Sequence, residues 1–533
     1  IQADTINGDD DANRIDGAGG GDTIDGGGGD DTVIGGDGSD LLKGGAGADV
    51  IYGDAASGLA VSGSNAGPTA ALVQSLNSLN RTFAEFQVDR ISDLKEFRGL
   101  EDWSEIVGPV RTLTPSDTSF SGQWYLENPN AAVGGVDINI TDVWDDYTGA
   151  GVKIGIIDDG IDYRHSEFSG NYLADLDYDA LGAALGLGSD DPFTDGLDDF
   201  HGTNVAGVIG ASLNEGEIVG VAPDSSLAMF RIGFGFEWSS SQLEAALNQM
   251  VNVDITNNSW LYGEAFSDNR NELKSQEFFD ALNTAVSEGR GGLGSIVVFA
   301  AGNEGEAGDS SNYHSFTGSR ETISVGSVGQ FGSYSSFTSA GSSILVSAPG
   351  EGILTADITG AGGFSTGDYF DGFEGTSAAA PIVSGIAALM LEANPNLGYR
   401  DVQEILAYSS RNPTSSDWAS NAAKNSSGGG LTYADEFGFG LVDAHAAVRL
   451  AESWTDQSTL ANLTVSSGKS SPSAAISDGV SSLSDTITIS GSDLLIDHVE
   501  VDVSLEHEFI GDLMIEITSP GGTRSMLMDR PMD

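Results

Sequence analysis

Cysteine is absent from all 533 residues, so neither a disulfide nor a thiolate metal site can contribute to this fold. Basic residues are scarce: 21 Lys and Arg stand against 80 Asp and Glu, a formal charge of −59. A surface of that sign repels nucleic acid and anionic membranes, which removes both from the expected partners. Divalent cations, basic peptides or a saline medium suit it better. Long apolar runs are also missing. No stretch reads as a membrane span, and the first residues carry no basic-then-apolar export signal, so export would need another signal. What the chain has in excess is glycine, 74 residues, far above the usual share. It is also long enough for two or three domains.

The glycine is densest at the start. Asp22, Asp31, Asp40 and Asp49 recur every nine residues, and Ile24, Val33, Leu42 and Ile51 each follow two positions later. The units GGGGDDTVI, GGDGSDLLK and GGAGADVIY fit the pattern G-G-x-G-x-D-x-U-x without a mismatch, and weaker copies precede them. This resembles the calcium-binding nonapeptide of RTX proteins. Gly-Asp turns present carboxylate and carbonyl oxygens, which suit Ca2+, a hard cation taking about six to eight of them. The x-U-x triplets make short strands with the apolar residue inward. A flexible Gly/Asp linker is the alternative, and the strict register argues against it. Residues 1–54 are therefore expected to form a parallel β-roll folded by calcium, with Asp22, Asp31, Asp40 and Asp49 as ligands.

Residues 55–116 differ in texture. A run of small residues leads into LVQSLNSLNRTFAEF, where Leu72, Leu76, Leu79, Phe83 and Phe86 recur at helical spacing. This reads as a linker with amphipathic helices. From residue 117 the short apolar runs VKIGIIDDG and GSIVVFAAGNEG have the character of buried parallel strands. Helical stretches lie between them over 241–251 and 273–288, and a buried helix follows Ser377 until Pro395 stops it. Alternating strands and helices predict an α/β domain, a parallel sheet with helices on both faces.

Three segments of that domain carry chemistry. GIIDDGID puts Asp158 just beyond a buried strand, DDFHGTNVAGVIG puts His201 at a helix start, and FEGTSAAAP puts Ser377 at the N-terminus of the long helix. A serine nucleophile needs a base for its proton and a carboxylate to orient that base, and Asp…His…Ser is a recorded chain order for such a triad. AAGNEG places Asn303 at a strand end, where its amide could face an oxyanion. Singly, each residue reads as a cap, a core histidine or a turn residue. Jointly, in this order, they read as a serine hydrolase.

These segments, together with QWYLENP, GVDINITDVWDDYTGAG, GTSAAAPIVSGIAALMLEANPNLGYRDVQEIL and FGFGLVDAHAAVRLAESW, resemble the subtilisin-like serine proteases, within them the kexin/furin branch. The resemblance covers residues 117–455. The alternating tail over 456–533, with HEFIGDL and SPGGT, is similar to the first half of that branch's P domain, a β-sandwich expected to continue past Asp533. The resemblance implies peptide-bond hydrolysis through an acyl-enzyme, with Asp158, His201 and Ser377 as triad and Asn303 as oxyanion donor. It also implies calcium sites at Asp117, Glu167 and Asn214, and a further one in the acidic loop 175–179, with Asp177 and Asp179, together with Asp190 and Asp191, where a solvated acidic surface is the alternative.

For the substrate, the resemblance implies Arg or Lys before the scissile bond. Asp159 and Asp198 would stand beside the second substrate residue, Glu244 further out, and Glu264 and Asp309 in the pocket for the residue before the bond. SWLYGEAF departs from the branch pattern, and His314 stands where another pocket aspartate is expected, which puts a strict dibasic requirement in doubt. The expectation is a secreted, calcium-dependent serine endopeptidase acting on proteins or peptides. A protease of broad or hydrophobic specificity, a non-catalytic calcium-gated surface or matrix protein, and a protease serving mainly to bind a chaperone or inhibitor remain the alternatives.

Overall fold

A computed structural model of the chain describes residues 114–531 except 190, 195–198, 215, 273–274, 414–417, 421–430, 473–475, 477–481 and 490–495, and, before them, seven short strands. The chain forms two compact units, residues 1–110 and 111–533.

In the first unit the strands are β1 (Thr5–Asn7), β2 (Arg14–Asp16), β3 (Thr23–Asp25), β4 (Thr32–Ile34), β5 (Leu41–Lys43), β6 (Val50–Tyr52) and β7 (Ala60–Val61). They form two parallel sheets, ordered β1-β3-β5-β7 and β2-β4-β6. Ile6 pairs with Ile24 and Ile24 with Leu42, while Ile15 pairs with Val33 and Val33 with Ile51. Successive x-U-x triplets thus alternate between sheets and pair two repeats apart, as a β-roll requires. The array reaches Val61, past the expected end at 54. Asp22, Asp31, Asp40 and Asp49 lie outside the described residues, and so do the helices expected over the rest of 55–113.

The second unit is built on a seven-stranded parallel sheet. Its strands are β8 (Lys153–Asp158), β9 (Tyr178–Asp179), β10 (Ser226–Arg231), β11 (Ile255–Asn258), β12 (Ile296–Ala300), β13 (Thr322–Val328) and β14 (Ile344–Pro349), in the order β14-β13-β12-β11-β8-β10-β9. The helices are α1 (Ala180–Leu185), α2 (His201–Gly210), α3 (Ser240–Leu247), α4 (Gln276–Glu288), α5 (Thr376–Ala393), α6 (Tyr399–Ser409) and α7 (Ala444–Ser453). Strand alternation divides the core in two. Ile154, Ile156, Leu227, Met229 and Val298 point to one face and pack with α2, α5, α6 and α7. Ile157, Ala228, Phe230, Val297 and Phe299 point to the other and pack with α3 and α4. The layered parallel sheet expected from the alternating runs is what the body contains.

Smaller pairs complete it: β15 (Ile353–Ala356) with β16 (Tyr369–Phe373), β17 (Ala419–Ser420) with β18 (Thr432–Tyr433), and β19 (Met514–Thr518) with β20 (Arg524–Asp529), all antiparallel. One sequence reading needs correction here. α5 is long and apolar enough to cross a membrane, yet it is buried among the other core elements; its apolar content serves the core. In the tail, β19 and β20 are the only strands among the described residues. The alternating Ile487, Ile489, Val499, Val501 and Val503 are exposed.

Candidate active site

Parallel strands bring their carboxyl ends to one edge, and that edge is where sites form in open α/β sheets. Asp158 is the last residue of β8, Ser259 directly follows β11, and Asn303 lies three residues beyond β12, with the three strands adjacent in the sheet. His201 opens α2, and Ser377 is the second residue of α5.

Asp158 is fully buried, and its Oδ1 lies 2.9 Å from Nδ1 of His201, whose side chain keeps 26% exposure. Burial alone would lower the pKa of His201, but the charge and hydrogen bond of Asp158, with the charge of Asp159, outweigh it and raise it to about 9. Phe373, on β16, sets its ring edge-on to the imidazole, with centroids 5.5 Å apart. The residue before α2 provides no side-chain cap; Asp159 does so from the adjacent loop, accepting the His201 and Gly202 N–H groups at 3.1 and 2.7 Å. Burial, and then the neighbouring charge of Asp158, push the Asp159 carboxyl up to about 8. Both Asp159 oxygens are therefore committed to positioning the histidine's helix.

The hydroxyl of Ser377 donates to the Ser259 carbonyl at 3.0 Å and, among the described residues, makes no hydrogen bond to His201. Base and nucleophile commonly close up only with substrate bound. The Ser377 N–H lies in the first turn of α5, where N–H groups have no acceptor within the helix. Asn303 Oδ1 accepts from both the N–H and the hydroxyl of Thr376, each at 2.8 Å. A backbone N–H can only donate, so the oxygen of Asn303 is fixed on Thr376 and its NH2 group is left as a donor. Gly375 keeps that group in place: its φ is +112°, and a Cβ there would come 2.9 Å from Asn303 Nδ2.

The remaining expected residues are placed less uniformly. Asp309 is half-buried and accepts from His314 Nε2 at 3.2 Å and from the Ser339 hydroxyl at 2.8 Å. Its charge is met inside the protein, by a buried imidazole that also faces Asp268 at 3.5 Å. Glu244 is half-buried on α3, Glu264 is exposed, and Asp198 lies outside the described residues. Asp117 and Glu167 each keep a buried oxygen with no hydrogen-bond partner, Oδ1 and Oε2. Both reach the same loop: Asp117 accepts the Asn214 N–H at 3.0 Å, and Glu167 accepts the Glu217 N–H at 2.8 Å. A Cβ on Gly216 would come within 2.0 Å of Glu167 Oε1 and 2.3 Å of Oε2, so only a glycine lets the loop lie against this carboxylate. Two orphaned carboxylate oxygens suit a hard cation. The side-chain oxygen of Asn214 does not join them; it accepts from Ser116.

Asp177 and Asp179 do not converge on an ion. Asp177 accepts from Tyr172 and the Met229 N–H, whereas Asp179 caps α1 and faces Arg231, so their carboxylates turn to different partners; Asp190 lies outside the described residues. Sequence reasoning passed over Ser259, Thr376 and Asp268. The signal for Ser259 was the polar Asn-Asn-Ser run at the end of a buried strand, and for Thr376 its place one residue before Ser377.

Comparison with known proteins agrees with this geometry. The subtilase family model matches residues 149–440, the proprotein convertase P-domain matches 496–533, and the RTX calcium-binding nonapeptide repeat matches 2–33 and 25–57. Kexin of Saccharomyces cerevisiae is 32% identical over 441 residues, covering 79% of this chain and 51% of kexin. Neuroendocrine convertase 2 of Homo sapiens is 33% identical over 456 residues, covering 81% of this chain and 67% of that protein. The chain thus spans between half and two thirds of these relatives. Among solved structures, the Aeromonas sobria serine protease in complex with the chaperone ORF2 has a TM-score of 0.65 at 25% identity, covering 79% of this chain and 81% of its own. A Pseudoalteromonas arctica protease has a TM-score of 0.51 at 26% identity, covering 63% and 99%.

Proposed function

The chain belongs to the subtilase family, and from that premise we propose that it is a serine endopeptidase using Ser377, His201 and Asp158. Ser377 Oγ attacks the scissile carbonyl while His201 Nε2 takes its proton. In the neutral form of His201, which gains population as pH rises toward about 9, Asp158, hydrogen-bonded to Nδ1, holds the ring in the tautomer that leaves Nε2 free to accept, and it stabilises the imidazolium that forms. The tetrahedral oxyanion is met by the Asn303 amide and the Ser377 N–H, a preorganised pair at a helix N-terminus. His201 then returns the proton to the leaving amine, and water releases the acyl group by the same route.

The observation that carries this reading is the 2.9 Å Asp158–His201 bond at the sheet edge that also holds Asn303 and the start of α5. Ser377→Ala tests it: peptide hydrolysis should fall by a factor on the order of 10^4 or more, with the melting temperature unchanged and labelling by a fluorophosphonate lost. Turnover close to that of the unmodified chain would remove the triad.

For the substrate we favour Arg or Lys before the scissile bond. The net charge of −59 attracts basic peptides, and Glu264 and Glu244 stay clear of ion pairs among the described residues. The pairing of Asp309 with His314 favours a second reading, broader specificity, since a carboxylate already answered gives a substrate cation less. Chromogenic peptides ending in Arg, Lys, Phe or Leu separate the two; equal rates after Phe would set the basic preference aside. Calcium is proposed at the nonapeptide repeats and between Asp117 and Glu167, and the site of action is extracellular, where calcium is plentiful. A chaperone is a further proposed partner, in keeping with the Aeromonas sobria complex.

A further inference from the structure

We propose that Ser259, through its side-chain hydroxyl, is a positioning residue for the nucleophile, replacing a helix hydrogen bond that Pro381 removes. The inference rests on the reading of Ser377 as nucleophile. In an α-helix the carbonyl of residue i accepts from the N–H of residue i+4. For Ser377 that residue is Pro381, inside α5, which has no N–H and whose ring crowds the carbonyl four residues back. The nucleophile's own carbonyl therefore has no donor within its helix, at a buried residue where an unmet carbonyl is costly.

Ser259 Oγ donates to that carbonyl at 2.9 Å, while the Ser377 hydroxyl donates to the Ser259 carbonyl at 3.0 Å. Main chain and side chain of the nucleophile are thus both held by one residue. The hydroxyl of Ser259 is itself oriented from behind. Asn257 Nδ2 donates to it at 3.0 Å, and Asn257 Oδ1 accepts from Ser384 Oγ at 2.9 Å. A hydroxyl that accepts from Asn257 has its one proton left for Ser377. Asn257 and Ser384 are fully buried, and Ser259 nearly so. Ser384 lies two turns along α5, so the chain Ser384–Asn257–Ser259–Ser377 ties the first turns of that helix to the end of β11. A core of this kind has no need of buried polar groups for stability alone; these converge on the residue that reacts.

A compensating pair of substitutions tests this. Ser259→Ala removes the donor, and kcat should fall by about 10- to 100-fold, the cost of a small misplacement, with KM little changed. Ser259→Thr, which keeps the hydroxyl, should restore most of it. Pro381→Ala supplies an N–H at the position facing the Ser377 carbonyl, so Ser259→Ala/Pro381→Ala should recover at least about threefold over Ser259→Ala, the rescue expected of coupled sites. Rates are taken per active site titrated to completion with fluorophosphonate, so a loss of folded protein does not count as a loss of kcat. Effects of the two substitutions that simply multiply, or a Ser259→Ala enzyme with full kcat and a lowered melting temperature, would overturn the proposal. If Ser377→Ala retains turnover, the fault lies with the nucleophile assignment; if it does not and Ser259→Ala is fully active, the positioning role alone fails.

Discussion

His314 shows how much a single side chain can decide in an acidic protein. It is buried between Asp309, 3.2 Å from Nε2, and Asp268, 3.5 Å from Nδ1. Burial would lower its pKa, but the hydrogen bonds and charges of the two aspartates raise it from 6.5 to about 9. Burial would raise Asp309, yet the His314 bond and charge, with Ser339, hold it below its ordinary 3.8. The two shifts bound a window. A raised histidine contributes stability in full below 6.5 and loses it as pH rises through about 9; a depressed aspartate contributes above 3.8 and loses it as pH falls further. The melting temperature should therefore fall between pH 7 and 10, and more gently in His314→Asn, which has no imidazole to deprotonate. At pH 6 that variant should be less stable by about 3 kcal/mol, the cost of leaving buried carboxylates unanswered. Thermal denaturation across pH checks both; a parallel decline in the two proteins would detach the pH response from His314.

At the scale of elements, the site is made where helices begin. α2 starts at His201 under a cap lent by Asp159, and α5 starts at Thr376, whose N–H and hydroxyl fix Asn303. Gly375→Ala should disturb that second junction in two ways. Its φ of +112° strains any side chain, and the added Cβ would press on Asn303 Nδ2. Displacing one oxyanion donor costs about 10^2–10^3 in kcat, so peptide hydrolysis should fall by that order with KM nearly constant. A variant that loses only thermal stability would place Asn303 outside the reaction. The elements themselves were legible from sequence: the helix expected over 273–288 is α4 at Gln276–Glu288, and the runs around Gly155 and Val298 are β8 and β12. Period and turn residues carry such information locally. What stayed hidden depends on which way a side chain turns in the folded chain, toward partners near or far in sequence. Nothing near Asp159 says that its oxygens cap a helix starting 42 residues later, and although His314 is only five residues from Asp309, the sequence does not show that the loop between them turns imidazole and carboxylate together. Asp177 and Asp179 show the same limit, since spacing alone cannot tell that one turns to Tyr172 and the other to Arg231.

The whole molecule carries −59, and self-repulsion on that scale works against any compact state. Calcium could relieve it in two ways that predict different things. If the ion acts only as a screening charge, concentrated NaCl should substitute for it, since the Debye length shrinks to about 3 Å at 1 M. If it occupies sites, salt cannot replace it, because the orphaned oxygens of Asp117 and Glu167 are buried and beyond the reach of screening, and because short strands pairing two repeats apart have little apolar surface to bury. The two units should then respond separately. In EGTA the chain should lose part of its β-type circular dichroism as the repeats unfold, and its main melting transition should fall as well. Restoring calcium to about 100 times the dissociation constant should return about 2.7 kcal/mol to the second unit. Glu167→Gln should abolish the calcium shift of the main transition and leave the circular dichroism change of the repeats intact, since that residue belongs to one unit only. Recovery of both signals in 1 M NaCl without calcium would replace bound ions by general screening. Loss of both in Glu167→Gln would mean that the two units do not fold independently.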